Sequence, residues 1–439
     1  MKDNLLTGRL KLVLKSHIFK VFYSTGFTTG LKILASIVLS RIVAVRLGPS
    51  GLALLGQLTN FVTIALLLAS GGFGNGIIKY ISSLKNEEEL GAFTRQSFKL
   101  TLLFSSVTGL VIIAGSIAFS YLNFNSYSYS FVFIALGLSI VFYASGNYFL
   151  SFVNGMADYK IFNWTNGINN ILSLVVSVLL IHFYSLAGAF MAVAINQTVT
   201  CIVTIGLSKK YFKYFTSFLR EKIELHWVKK LLSFSLMAFV TAVLTPVAQI
   251  IIRKQLIAKF NLAAAGEWEA INRISGLYLT VLINIMLVYY LPKLSSTHNG
   301  GELKYEIKKG FKFFVPIVVL LATCIFFCKS IIISLFLSEQ FTAIKPFFLP
   351  QLLGDSFKIL SFIYAYLVIA KAKVMYYIVS EILFIAIYVT CSLVFIGRFG
   401  TIGAVYAYMT TYILYFFFQL FITKNYILNE YSHSGNGVS

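Results

Sequence analysis

Five charged side chains fall inside stretches otherwise built of apolar residues: Lys32, Arg273, Asp355, Lys358 and Glu381. An ion in hydrocarbon costs at least about 2.5–3.5 kcal/mol on insertion scales, so each needs a partner or a purpose. Lysine and arginine suit an anionic ligand such as a phosphate. Carboxylates suit the capture and release of a proton or cation. Asp355 and Lys358 stand three residues apart and share a face on a helix. They make either a self-neutralised structural pair or a switch, in which the occupancy of Asp355 decides whether Lys358 is free to hold an anion. Glu381 has no charged residue three or four positions away. It reads as a neutral acid or as a proton carrier. Asn75, set among glycines in Gly71-Gly72-Phe73-Gly74-Asn75-Gly76, is a further polar candidate. Lys32, Lys358, Arg273 and Asn75 are thus assigned to substrate binding, and Asp355 and Glu381 to ion coupling.

Enzymatic chemistry has no foothold. The chain has no Walker loop, no HExxH and no nucleophile elbow, and its five histidines are scattered. No catalytic residue, metal site or cofactor is expected. Cys201, Cys324, Cys328 and Cys391 lie in apolar runs and are expected as buried thiols.

The elements that carry these residues follow from composition. Of 439 residues, 58% are hydrophobic and 12% charged, against about 25% charged in soluble domains. Lipid must be the solvent. Continuous apolar stretches long enough to cross a bilayer occupy 21–44, 51–78, 100–122, 129–153, 161–184, 186–207, 231–252, 271–291, 312–336, 347–370, 374–396 and 401–423. Continuous runs mean helices, since a barrel shows short alternating segments. The expected fold is an all-α integral membrane protein of about twelve spans. Lys32 lies twelve residues after Lys20, and Lys358 thirteen before Lys371. At a helical rise of 1.5 Å both lie roughly 18–20 Å from one membrane edge, which suggests a shared cavity.

The formal charge of +21, from 36 Lys+Arg and 15 Asp+Glu, resembles that of a nucleic-acid binder. Its distribution argues otherwise. The N-terminus, Lys79–Lys99, Lys160, the 209–230 segment, Lys293–Lys312, Lys371 and Lys373 all fall on one side of the spans. By the positive-inside rule that side is cytoplasmic and holds both termini. Residues 2–20 read as an interfacial amphipathic helix. Residues 209–230 mix Tyr211, Phe212, Tyr214, Phe215, Phe218 and Trp227 with lysines, and lipid headgroups are their expected partner. This amphipathic linker separates an N-lobe, 1–208, from a C-lobe, 231–439, of six spans each. An offset of 215 aligns Leu47 and Gly51 with Leu262 and Gly266, and Gly188-Ala189 with Gly403-Ala404, which suggests a parallel duplication.

Several stretches carry a resemblance. Leu31-Lys32-Ile33, Leu47-Gly48-Pro49-Ser50-Gly51-Leu52, Asn75-Gly76-Ile77-Ile78-Lys79-Tyr80, Tyr290-Leu291-Pro292 and Phe341-Thr342-Ala343 are similar to the Wzx-type polysaccharide flippases. So are Gln351-Leu352-Leu353-Gly354-Asp355, Leu367-Val368-Ile369-Ala370-Lys371-Ala372, Ala407-Tyr408-Met409 and Thr411-Tyr412-Ile413. The resemblance implies the multidrug/oligosaccharidyl-lipid/polysaccharide superfamily, with two six-helix lobes around a central cavity. It also implies flipping of undecaprenyl-diphosphate-linked oligosaccharides to the periplasmic leaflet of the bacterial inner membrane, for O-antigen or enterobacterial common antigen. Lys32, Asp355, Lys358 and Glu381 fall on positions that are charged in these flippases; Arg273 does not. Further partners would be membrane lipids, a polysaccharide polymerase and a chain-length regulator, with no nucleic acid. The alternatives are a cation-coupled multidrug antiporter of the same superfamily and a membrane-bound O-antigen polymerase or ligase.

Overall fold

The computed structural model describes residues 17–427, apart from 217, 298 and 372. Most of the interfacial helix expected at 2–20 therefore lies outside the described residues. The rest is helical: α1 His17–Ser70, α2 Gly74–Ser83, α3 Glu87–Ala114, α4 Ser116–Phe124, α5 Ser130–Gly155, α6 Tyr159–Leu207, α7 Leu225–Lys259, α8 Leu262–Ile285, α9 Leu291–Ser296, α10 Gly300–Phe327, α11 Lys329–Phe336, α12 Phe348–Ala370, α13 Val374–Phe399 and α14 Gly403–Ile422. Among the described residues, eight helical stretches are long and apolar enough to cross a membrane, and the longest have the length for two spans each. Large apolar side chains such as Phe327, Phe183, Leu320 and Leu110 stand more than half exposed on the outside, where lipid is the solvent. The protein is an all-α, multi-pass integral membrane protein.

Helix starts follow local chemistry. Asn86, Asn261 and Asn299 each accept a hydrogen bond from a backbone amide in the first turn of α3, α8 and α10. Kinks divide the longest helices. Gly48 in α1 has φ 63°, a conformation open to glycine, and the following Pro49 removes one helical amide donor. Gly71 and Gly72, both with positive φ, end α1 shortly before Asn75. Pro246 differs. Helix α7 runs on through it, because neighbours and local adjustment satisfy the freed carbonyl in membrane helices.

One of the matches at offset 215, Gly188-Ala189 with Gly403-Ala404, shares a backbone geometry. Ser185 in α6 and Gly400 before α14 both have positive φ, and three residues later stand Gly188 and Gly403. A Cβ on Gly188 would lie 1.8 Å from the Leu180 carbonyl oxygen, and one on Gly403 would lie 2.1 Å from that of Phe395. Both carbonyls are eight residues upstream. Each half of the chain thus turns between its last two spans by the same device, which supports duplication more firmly than sequence identity does.

The chain forms two compact units, one of Met1–Ile42 with Phe61–Phe239 and one of Val43–Asn60 with Val240–Ser439. In the first, α3 and α5 cross where Gly109 and Gly137 bring the backbones together: either Cβ would lie within 3 Å of the other glycine's carbonyl oxygen. In the second, Leu279, Met286, Phe314, Ile359, Ile363 and Leu367 form a core between α8, α10 and α12.

The linker departs from expectation. Lys209–Phe215 and Phe218–Arg220 form short 3-10 turns docked on the first unit. Tyr214 and Phe215 are buried; Phe98, Phe149 and Phe152 surround Phe215, and Trp227 packs edge-on to Phe93. These rings build core rather than face headgroups, because the ends of α3 and α5 offer aromatic partners. Phe212, Leu219 and Leu225 stay exposed. The cysteines depart too: Cys201 is buried, but Cys324 and Cys328 are exposed on the apolar end of α10, where lipid serves a thiol as well as a core does.

Candidate functional site

Helix α14 places Tyr408, Tyr412 and Tyr415 at i, i+4 and i+7, so the three rings stand on one face. That face, with Tyr366 of α12 and Tyr388 of α13, lines a cavity of about 500 Å³ in the second unit. Lys358 and Glu381 open into the same space, beside the neutral polar groups of Gln249, Asn272 and Ser275. Gly354 is what lets α14 in so close. A Cβ there would lie 2.6 Å from the Tyr408 ring and 3.1 Å from the Met409 Cα.

Asp355 lies one turn before Lys358 and is 3% exposed. The Ser275 hydroxyl donates to its Oδ2 at 2.7 Å, and the Tyr278 hydroxyl donates to the same oxygen. The Tyr408 hydroxyl donates to Oδ1 at 2.6 Å, and Gln351 Nε2 reaches that oxygen at 3.4 Å. Donors from α8, α12 and α14 therefore converge on one carboxylate. Hydroxyls stabilise a carboxylate without cancelling its charge.

The pair expected between Asp355 and Lys358 does not close into an ion pair. Lys358 instead points its ammonium over the rings of Tyr412 at 5.2 Å, Tyr408 at 5.9 Å and Phe362 at 6.0 Å. At these separations ring quadrupoles hold the charge weakly. Tyr408 thus serves both groups, with its hydroxyl on Asp355 and its ring near Lys358. Glu381 accepts a hydrogen bond from Tyr415 at 2.9 Å.

Arg273 goes elsewhere. Its Nε bonds Glu269 Oε1 at 2.9 Å, and the other oxygen of Glu269 takes Arg253 Nη2 at 2.6 Å. Arg253 is fully buried, lies over the Trp268 ring and donates to Gln57 Oε1 at 3.3 Å. This cluster ties α7 and α8 to the part of α1 that belongs to the second unit. Gly56 makes room, since a Cβ there would lie 2.6 Å from the Glu269 carboxylate. Arg273 is thus an ion-pair partner and does not line the cavity. Lys32 and Asn75 are exposed side chains of the first unit.

Sequence reasoning missed Ser275, Tyr278 and the α14 tyrosines. The spacing of Tyr408, Tyr412 and Tyr415 was the available signal. Arg253 and Glu269 gave none, being sixteen residues apart on different helices.

A model of the family described as polysaccharide biosynthesis protein matches residues 15–298. The chain belongs to the polysaccharide biosynthesis protein family. Among its relatives is the lipid III flippase of Escherichia coli (strain K12), 30% identical over 401 residues, which cover 89% of this chain and 94% of the relative. The Shigella flexneri lipid III flippase matches to the same extent. Two solved structures share the fold. One is the lipid II flippase MurJ in an inward closed conformation (TM-score 0.69, 14% identity, 94% of this chain and 90% of that one). The other is an inward-facing multidrug resistance MATE transporter of the MOP superfamily (TM-score 0.69, 16% identity, 92% and 96%). The chain shares with these the two-lobed, twelve-helix transporter fold, as its apolar spans predict.

Proposed function

We propose that the protein is a flippase for undecaprenyl-diphosphate-linked oligosaccharide repeat units. It would carry them from the cytoplasmic to the periplasmic leaflet of the bacterial inner membrane for surface polysaccharide synthesis, of the O-antigen or enterobacterial common antigen kind. It is a transporter and not an enzyme. The observation that carries this reading is an ammonium, Lys358, set among tyrosine rings in a membrane cavity without a carboxylate salt bridge, in a chain 30% identical to lipid III flippases.

The step to be catalysed is the passage of a charged diphosphate through hydrocarbon, which burial of charge makes very slow. Lys358, and Lys32 of the first unit, are the anion contacts that replace hydration. The tyrosines offer flat apolar faces and hydroxyls to sugars, while the lipid tail stays in the bilayer. Both termini are cytoplasmic, and 1–208 and 231–439 act as the lobes joined by 209–230. Movement is by alternating access. Glu381, which opens into the cavity with one hydroxyl partner, is the ion-coupling carboxylate; Asp355, saturated by donors, positions Tyr408 beneath Lys358. A polymerase and a chain-length regulator are the expected downstream partners.

The test is complementation of a flippase-deficient strain, with analysis of the lipid-linked oligosaccharide that accumulates. Lys32→Ala and Lys358→Ala abolish rescue while the protein stays in the membrane at its normal level. Full rescue by both would overturn the anion-binding reading. In proteoliposomes, flipping that ignores both proton and sodium gradients would remove the coupling role of Glu381.

A further inference from the structure

Helix α6 is a membrane helix with two incompatible faces. Asn163, Asn166, Asn170, Ser173 and Ser177 are spaced three, four, three and four residues apart, so they form one stripe about 21 Å long at 1.5 Å per residue. Ile171, Leu172, Val175 and Leu179, each well exposed, occupy the opposite face, where lipid suits them. An amide turned to hydrocarbon without a partner costs several kcal/mol, roughly 4–8 on a cyclohexane scale. The stripe therefore meets protein or water, and its middle residues are only half-buried.

The amides of Asn166 and Asn170 keep bonding capacity beyond the contacts they make. Asn166 Nδ2 donates to the Phe162 carbonyl at 3.0 Å, and Asn170 Nδ2 donates to the Thr28 carbonyl of α1 at 3.5 Å. Asn196 Nδ2 donates to Ser177 Oγ at 2.9 Å, and its buried Oδ1 has no partner among the described residues. The amide oxygens of Asn166 and Asn170 accept no hydrogen bond among the described residues. Each Nδ2 also keeps a second N–H, so these uncharged amides both accept and donate, which suits sugar hydroxyls, while they bring no charge to offset a diphosphate.

We propose that this stripe is a glycan-binding wall in the first unit, which takes the hydroxyls of the sugars rather than the diphosphate. The proposal rests on the flippase reading and deepens it. Lys32 lies one turn after Thr28 on α1, the same face of that helix, and is left for the phosphates. The wall divides the substrate chemically: cations hold the charged head and uncharged amides hold the glycan.

The experiment uses the full chain in proteoliposomes with two probes. One is the lipid-linked oligosaccharide isolated from a flippase-deficient strain, and the other is undecaprenyl diphosphate carrying a single sugar. The combined Asn166→Leu and Asn170→Leu variant slows the oligosaccharide lipid about tenfold, as expected for two lost hydrogen bonds, and leaves the single-sugar lipid within about twofold. Asn166→Ser with Asn170→Ser, which keeps hydroxyl acceptors, recovers part of the loss. A wild-type rate for the leucine variant on the oligosaccharide would overturn the proposal. So would equal slowing of both probes, the mark of a merely structural stripe. A wild-type protein that moves neither probe would instead remove the flippase reading, and the wall with it.

Discussion

The linker docked on the first unit and the cavity of the second both set charged groups among aromatic rings, yet they treat those charges differently. In the linker three charges meet opposite ones: Lys210 bonds Asp158 at 2.5 Å, Glu221 takes Arg95 at 2.6 Å and Lys213 reaches Glu87 at 3.4 Å. In the cavity, charges meet neutral tyrosines. Asp355 is held by hydroxyls, Glu381 by one hydroxyl and Lys358 by ring faces. Opposite charges neutralise and lock a contact; hydroxyls and rings orient a charge and leave it available. Lysine among aromatic rings is found in both places. Only the partner of each charge separates an architectural contact from a ligand site.

The largest effect that would sharpen this contrast is at Lys358. Lys358→Met lowers flipping by more than about a hundredfold, the scale of one lost charge-assisted contact in a water-poor site, and leaves the melting temperature in detergent nearly unchanged. Unchanged transport would break the comparison. Next is Asp355→Leu, which leaves the hydroxyls of Ser275, Tyr278 and Tyr408 without their acceptor. Three orphaned donors at about 1–3 kcal/mol each cost several kcal/mol, seen as a large fall in melting temperature.

Smaller effects belong to the linker. Asp158 caps α6 through Ile161 N at 3.2 Å and also takes the Tyr211 hydroxyl at 2.9 Å. Asp158→Ala costs about 0.5–2 kcal/mol of stability, measured by thermal unfolding, with transport unchanged. The smallest effect is on pH. Burial pushes the Asp158 carboxyl up, but bonds from Lys210, the Ile161 amide and Tyr211 outweigh it and hold the group below the ordinary 3.8. Its contribution is therefore full above that value and lost as pH falls through the lower folded one. The hydrogen bond to Asp158 raises Lys210, whose contribution holds below the ordinary lysine value and is lost as pH climbs past the folded one. Protection of Lys209–Arg220 from limited proteolysis should be flat from pH 5 to 9, as the lowered Asp158 and raised Lys210 imply. A loss of protection within that range would contradict the ion pair.

Much of this was legible before any coordinates. Span positions follow from apolar run length, since a bilayer demands it. Lys358, Asp355 and Glu381 stood out because charge in hydrocarbon is rare. The α14 tyrosines hid among 26, because an aromatic residue on a membrane helix is ordinary whichever way it faces. Arg273 looked like a substrate contact, because its partner chain through Glu269 to Arg253 spans two helices.

The sequence by itself determined that the chain lives in lipid, where its apolar spans lie, and which charges are out of place. Only the tertiary structure decided what each charge meets. Helix periodicity sets the face a residue occupies, but the partner on a facing helix depends on close approaches such as Gly354 against Tyr408 and Gly56 against Glu269. Lys358 stays available, and Arg273 does not, for that reason.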